Sequence, residues 1–152
     1  MSNSRVPEPA FPYRHTIDVQ LRFNDVDMFG HVNNSVYLQF FDLAKLEYFR
    51  AVMGEDFEVT NIAVVVVNVN CDFYAPTFID EKLQVMTTTL RVGERSMLLE
   101  QRIVNSVTGD VKCVGRTIMS GFDVKTSTSA PIDDNWRSRL ETYENRSFVI
   151  EK

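Results

Sequence analysis

The stretch from Asn33 or Asn34 to about Met53 constrains this chain most. Val36, Tyr37, Phe40, Phe41, Leu43, Ala44, Tyr48, Ala51 and Val52 fall on one side of its helical wheel. At 100° per residue that arc takes in about half the circumference, wider than a helix lying on a surface needs. Asn33 and Asn34 can each accept hydrogen bonds from the free N–H groups of a first turn, and Gly54 supplies the stop. At 1.5 Å per residue the helix is about 30 Å long. A helix so long and so broadly apolar calls for a sheet wrapped around it.

The rest of the chain supplies that sheet. Ile17, Val19, Leu21 and Phe23 alternate with Asp18, Gln20 and Arg22, which predicts a half-buried strand from His15 onward. Four more strands are expected over Asn61 to Phe73, Lys82 to Val92, Arg95 to Asn105 and Asp110 to Phe122. The first of these holds the β-branched run Ile62 to Val67, the pattern of a strand buried on both faces. Short turns at Gly93-Glu94 and Ser106 to Gly109 predict antiparallel hairpins among the other three. Pro131 and Asp133 or Asp134 introduce a short helix through Trp136 and Leu140.

These elements form an α+β domain, five antiparallel strands around one long central helix. Residues 1–13, with Pro7, Pro9 and Pro12, are expected as a flexible N-terminal arm, 14–125 as the main domain, and 126–152 as its C-terminal helix and tail. One helix cannot cover both faces and the edges of such a sheet, so a homodimer or homotetramer is expected.

A chain of 152 residues with 44% hydrophobic residues suits one domain with a substantial core. The net charge of −5 argues against broad nucleic-acid binding, though a few convergent Lys and Arg can still hold a polyanionic ligand. Cys71 and Cys113 form no Cys-x-x-Cys pair and the chain has two His, so no metal site is expected. No apolar run approaches the roughly 20 residues that span a bilayer, and Met1 to Pro12 lacks a signal-peptide core. The expectation is a cytoplasmic protein without membrane insertion.

Chemistry concentrates in Arg22-Phe23-Asn24-Asp25-Val26-Asp27-Met28-Phe29-Gly30-His31-Val32-Asn33-Asn34-Ser35-Val36-Tyr37. Two carboxylates and an imidazole sit in a turn that leads into a helix N-terminus. Free N–H groups there can polarise a carbonyl and hold the oxyanion formed on attack, and a nearby carboxylate can attack or activate water. These parts suit acyl transfer to water. The plainer reading makes Asp25 and Asp27 turn formers and Asn33 and Asn34 caps.

The string Asp25-x-Asp27-x-x-Gly30-His31-Val32-Asn33-Asn34-x-x-Tyr37 resembles the hotdog-fold thioesterases of the 4-hydroxybenzoyl-CoA thioesterase type. Asp42 and Ala44 on the helix, Asp72-x-x-x-Pro76 and the strand count to Phe122 support it, over about His15 to Phe122. The resemblance implies a hotdog fold and hydrolysis of an acyl-CoA thioester without a cofactor. It implies that Asp27 is the catalytic carboxylate and that the backbone N–H near Asn34 polarises the carbonyl, with Asp25 structural. His31 matches a His of the related plant-type acyl-ACP thioesterases, but Phe29 stands where those carry a catalytic Asn. An acyl-ACP thioesterase and a non-catalytic acyl-CoA-binding or scaffold protein on the same fold are the alternatives.

Asp27, Asn34 and His31 are therefore the catalytic candidates. Gly30, Asn33, Tyr37, Phe29, Phe73 and Pro76 are the candidates for substrate contact, the aromatic ones as lining of an acyl pocket. The active site is expected at a subunit boundary, with Asp27 of one chain facing residues near Asp72 to Pro76 of its neighbour. Glu47 falls inside the helix's apolar arc and is read as part of an ion pair or subunit contact. Arg91, Arg95, Arg102, Lys112 and Arg116 are candidates for the CoA phosphates, with a solvated strand face as the plainer reading of each.

Overall fold

The computed structural model describes residues 5–59 and 62–148. Strand β1 (His15–Val19) precedes helix α1 (Asn34–Met53), and strands β2 (Val64–Phe73), β3 (Leu83–Val92), β4 (Ser96–Asn105) and β5 (Val111–Asp123) follow. A two-residue strand β6 (Thr128–Ser129) and helix α2 (Asp134–Glu144) complete the chain. The sheet order is β1-β3-β4-β5-β2, antiparallel throughout, with β6 paired to the end of β5. This is the hotdog architecture that the resemblance implies.

The helix is bounded as its sequence predicts. The Asn33 side chain accepts from Ser35 N–H at 3.2 Å, and Gly54, at φ +61°, donates its N–H to the Arg50 carbonyl. Tyr37, Phe40, Phe41 and Ala44 pack with Val85, Ile103 and Cys113 of the sheet. Further along, Tyr48, Phe49 and Val52 meet Leu99, Trp136 and Leu140, so α2 closes this end of the helix layer. Contact is closest at Gly115 of β5, where a Cβ would lie 2.6 Å from the Phe41 ring. Only glycine lets the helix settle so near the strand.

Three expectations differ from the structure. Strand β1 ends at Val19, and Phe23, 86% exposed, lies in a short 3-10 turn over Phe23–Asp25. The alternation past Leu21 breaks because Asp25 ties back to Arg22. Second, β2 is an edge strand, not a doubly buried one: Val65, Val66 and Val67 are exposed, and its only neighbour among the described residues is β5. Apolar composition alone cannot tell a central strand from an edge strand. Asn61, the expected start of that strand, lies outside the described residues. Third, Leu43 and Ala51 of the helix are exposed, whereas Lys45, Phe49 and Met53, outside the expected arc, are buried, so the buried face is displaced around the wheel and reaches beyond the side the sequence suggests.

The segment expected as an arm runs along the sheet face away from α1. Its Pro7 carbonyl accepts from the Arg102 guanidinium, the Tyr13 hydroxyl donates to Glu100, and Phe11 lies 3.7 Å beneath the Arg146 guanidinium. These polar partners satisfy an otherwise buried Glu100–Arg102 pair. At the far end of α1, the Tyr48 hydroxyl donates to the buried Glu144 carboxylate, fastening α2 to the helix. Glu47 pairs with Arg50 at 3.4 Å, half-exposed, in keeping with its reading as an ion pair.

Candidate active site

After β1 the chain makes two nested turns that set both motif carboxylates. Asp25 is buried, and its Oδ2 accepts from Arg22 N–H at 2.7 Å while Oδ1 accepts from the Arg22 guanidinium at 3.0 Å. Burial pushes the Asp25 carboxyl up, and the bonds from Arg22 outweigh it, so it titrates below its ordinary value. This carboxylate is fully engaged in holding the turn.

Residues 26–32 form a tight excursion closed by a bridge between Val26 and Val32. Asp27 N–H donates to the His31 carbonyl at 2.8 Å, and Gly30 N–H to the Asp27 carbonyl at 3.0 Å. Gly30 sits at φ +80°, a conformation that L side chains rarely adopt, so the turn needs glycine there. The Asp27 side chain accepts from Phe29 N–H at 2.9 Å and His31 N–H at 3.2 Å, both on Oδ1. Asp27 is thus a turn former through one oxygen, and among the described residues the other, Oδ2, has no hydrogen-bond donor.

Asn33 then caps the helix. Its side chain takes Ser35 N–H, and its carbonyl takes Val36 N–H at 2.9 Å. A helix start has no internal acceptors for its first N–H groups. Among the described residues, the N–H of Asn34 is the one of these first three with no acceptor.

The opposite wall is the loop after β2. Phe73, Tyr74, Ala75 and Pro76 line one cleft of about 310 Å³ together with Asp27, His31, Val32, Asn34 and Tyr37. The Tyr37 ring lies 5.5 Å from that of Phe73. Burial pushes the Tyr37 phenol up, only partly offset by its bond to Thr77. His31 sets its ring edge against Phe78 at 5.1 Å. Among the described residues, no three His, Cys, Asp or Glu side chains gather as metal ligands would.

Six of the nine site residues expected from the sequence, Asp27, His31, Asn34, Tyr37, Phe73 and Pro76, therefore line a single cleft. The other three do not: Asn33 is occupied as the cap, Gly30 shapes the turn, and Phe29 is 75% exposed outside the lining. Within the chain itself, Asp27 and the Phe73 to Pro76 segment line this one cleft. Sequence reasoning misses Tyr74 and Ala75, although their place between Phe73 and Pro76 marks them. Thr77, buried behind Tyr37, carries no sequence signal at all.

The basic candidates divide. Arg102 and Lys112 are buried and paired within the chain, against both readings of them, because Glu100 and Glu81 are buried or half-buried beside them. Arg116 pairs with Glu100 at 3.0 Å and Arg95 bonds to Ser129, leaving Arg91 on an exposed strand position. A larger concavity of about 560 Å³ lies on the other sheet face beside Asn68, Asn70, Asp72 and Arg116. Among the described residues no helix start lines it, whereas Asn34, the first residue of α1, lines the cleft at Asp27.

The sequence model of the thioesterase-like superfamily matches residues 21–140. The long-chain acyl-CoA thioesterase FadM of Escherichia coli K12 is 26% identical over 126 residues, 81% of this chain and 94% of the relative. The acyl-CoA thioester hydrolase YbgC of Escherichia coli O6:H1 is 30% identical over 95 residues, 58% of this chain and 67% of the relative. Among solved structures, a thioesterase of Thermus thermophilus, crystallised with coenzyme A and zinc, superposes with a TM-score of 0.80 at 24% identity, covering 90% of this chain and 98% of that one. With motif, fold and cleft in agreement over the matched span, the chain belongs to the thioesterase-like superfamily.

Proposed function

We propose that this protein hydrolyses an acyl-CoA thioester to free acid and CoA in the cleft between Asp27 and Pro76. One observation carries the reading: Asp27 and Asn34, the first residue of α1, line the same cleft, and among the described residues the Asn34 N–H has no acceptor. The thioester carbonyl oxygen accepts from the Asn34 N–H, where the helix dipole stabilises the charge that develops on attack. Asp27, anchored through Oδ1, uses Oδ2 to take a proton from the attacking water, and the His31 ring helps order that water. Water adds to the carbonyl carbon, the tetrahedral oxyanion collapses, and the CoA thiolate leaves, taking up the proton that Asp27 had accepted. The exposed ring of Phe73, backed by the buried Tyr37, receives the acyl group. The acyl-CoA thioesterases among its relatives support this substrate class.

A homodimer at minimum completes the assembly. Support comes from β2, an edge strand whose exposed Val66, Val67, Val69 and Phe73 run up to the cleft, where a second copy would cover them. Among the described residues no helix is long and apolar enough to cross a membrane. The two free thiols, Cys71 and Cys113, suit a reducing, cytoplasmic setting.

The test is release of free thiol from a panel of short, long and aromatic acyl-CoAs. Turnover of at least one, abolished by Asp27→Asn, is the expected result. Binding without turnover on every member favours a non-catalytic acyl-CoA-binding protein.

A further inference from the structure

Lys112 is buried at an irregularity in the sheet. Ile103 of β4 faces Cys113, but Val104 faces Val111, so Lys112 is the extra residue of a β-bulge. Bulges re-aim a side chain, and this one lies beside the loop that forms the second wall of the cleft. The Lys112 ammonium donates to the Pro76 carbonyl at 3.1 Å and pairs with Glu81 at 2.7 Å. Its own carbonyl accepts from Tyr74 N–H at 2.8 Å and Ala75 N–H at 3.3 Å.

Glu81 holds the other end of the same loop. Its Oε2 accepts from Phe78 N–H at 2.7 Å, and its Oε1 from the Asn105 side-chain amide at 2.9 Å. Burial pushes the Glu81 carboxyl up, but Lys112, the Phe78 N–H and Asn105 outweigh it, so it titrates below its ordinary value. Between the two grips, the Thr77 carbonyl accepts from Val32 N–H at 2.8 Å and its hydroxyl from Tyr37. A shift of the loop is therefore passed directly to the helix start.

A buried ion pair is no stronger in net terms than well-packed apolar residues of the same volume. What it adds is fixed geometry, because each charge must meet its partners at one place. We infer that Lys112 and Glu81 are positioning residues, a clamp that sets the width of the acyl-CoA cleft by holding Tyr74 to Phe78 against the helix start. Neither residue lines the cleft. The inference rests on the acyl-CoA reading of that cleft for its kinetic consequence, and on the hydrogen bonds alone for its structural one.

The test pairs steady-state kinetics with amide hydrogen exchange on the full chain, using Lys112→Met and Glu81→Gln. KM for the best acyl-CoA should rise about tenfold or more, with kcat within about threefold of wild type, since the loop seats substrate while Asp27 does the chemistry. In Lys112→Met the Phe78 and Val32 amides should exchange at least about tenfold faster, though neither loses its own acceptor, while β3 and β4 stay protected. The double variant should match the single ones, because the two residues act as one unit. An unchanged KM in a folded variant, or exchange that quickens equally throughout the sheet, overturns the clamp. Glu81→Gln, which keeps the side-chain volume, decides the matter if Lys112→Met does not fold. Should wild type turn over no acyl-CoA, the functional reading fails and the exchange result alone decides for or against the clamp.

Discussion

The phenolic O–H of Tyr37, on the first turns of α1, donates to Thr77 Oγ1 at 2.8 Å, and both residues are buried. This bond joins the element carrying the helix-start N–H to the loop carrying Tyr74, Ala75 and Pro76. The two walls of the cleft are thereby tied directly to each other, although 40 residues separate the partners in the chain.

Removing one partner strands the other. Tyr37→Phe leaves the buried Thr77 hydroxyl without its donor and should cost about 1–3 kcal/mol in urea unfolding. Tyr37→Phe with Thr77→Val removes both groups and should recover most of that loss. A double variant that loses the sum of the two single costs would show that the bond does not join the walls.

Asp25 gives the stability of the fold a pH signature. Its folded pKa lies below its unfolded value, so the carboxylate's stabilisation is complete above the unfolded pKa and is lost as pH falls through the folded one. Asp25→Asn should lower the urea midpoint at neutral pH, and the gap to wild type should close as pH falls below about 4. A gap that is constant from neutral pH down to about pH 3 contradicts this role.

Gly115→Ala tests the closest approach of helix and sheet. A methyl group there meets the Phe41 ring at 2.6 Å in a packed core, so the variant should lose about 1–3 kcal/mol. Phe41→Leu in the same background should restore part of the loss. Wild-type stability for Gly115→Ala would mean that the ring is free to move aside.

Most of the fold can be read directly from residue order, and the reasons for the exceptions are physical. The stop at Gly54 and the hairpins of β3 to β5 are local chemistry, so spacing locates them, and it narrows the cap to Asn33 or Asn34, of which the structure selects Asn33. The exposure of Val65 to Val67 depends on what lies beside the edge strand, and no run of valines encodes that. In the cleft, the string from Asp27 to Tyr37 is contiguous and therefore visible. The second wall is only partly legible: Phe73 and Pro76 stand out by type, whereas Lys112 and Glu81 look like ordinary surface charges until the bulge and the loop bring them together.

Assembly is open to light scattering. The exposed β2 edge predicts a homodimer or larger at micromolar concentration, and Val67→Asp combined with Val69→Asp should shift it toward monomer with loss of turnover. A fully active wild-type monomer would remove the second copy from the account.

The most direct test of the central claim compares Asp27→Asn with Asp25→Asn on the best acyl-CoA substrate. The amide at position 27 keeps the shape and the Oδ1 hydrogen bonds but cannot accept the water proton, so kcat should fall by about 10³-fold or more with the fold intact. Asp25→Asn, which perturbs only the turn, should keep kcat within about tenfold of wild type. Equal losses in the two variants, or near wild-type turnover by Asp27→Asn, would contradict the assignment of the chemistry to Asp27.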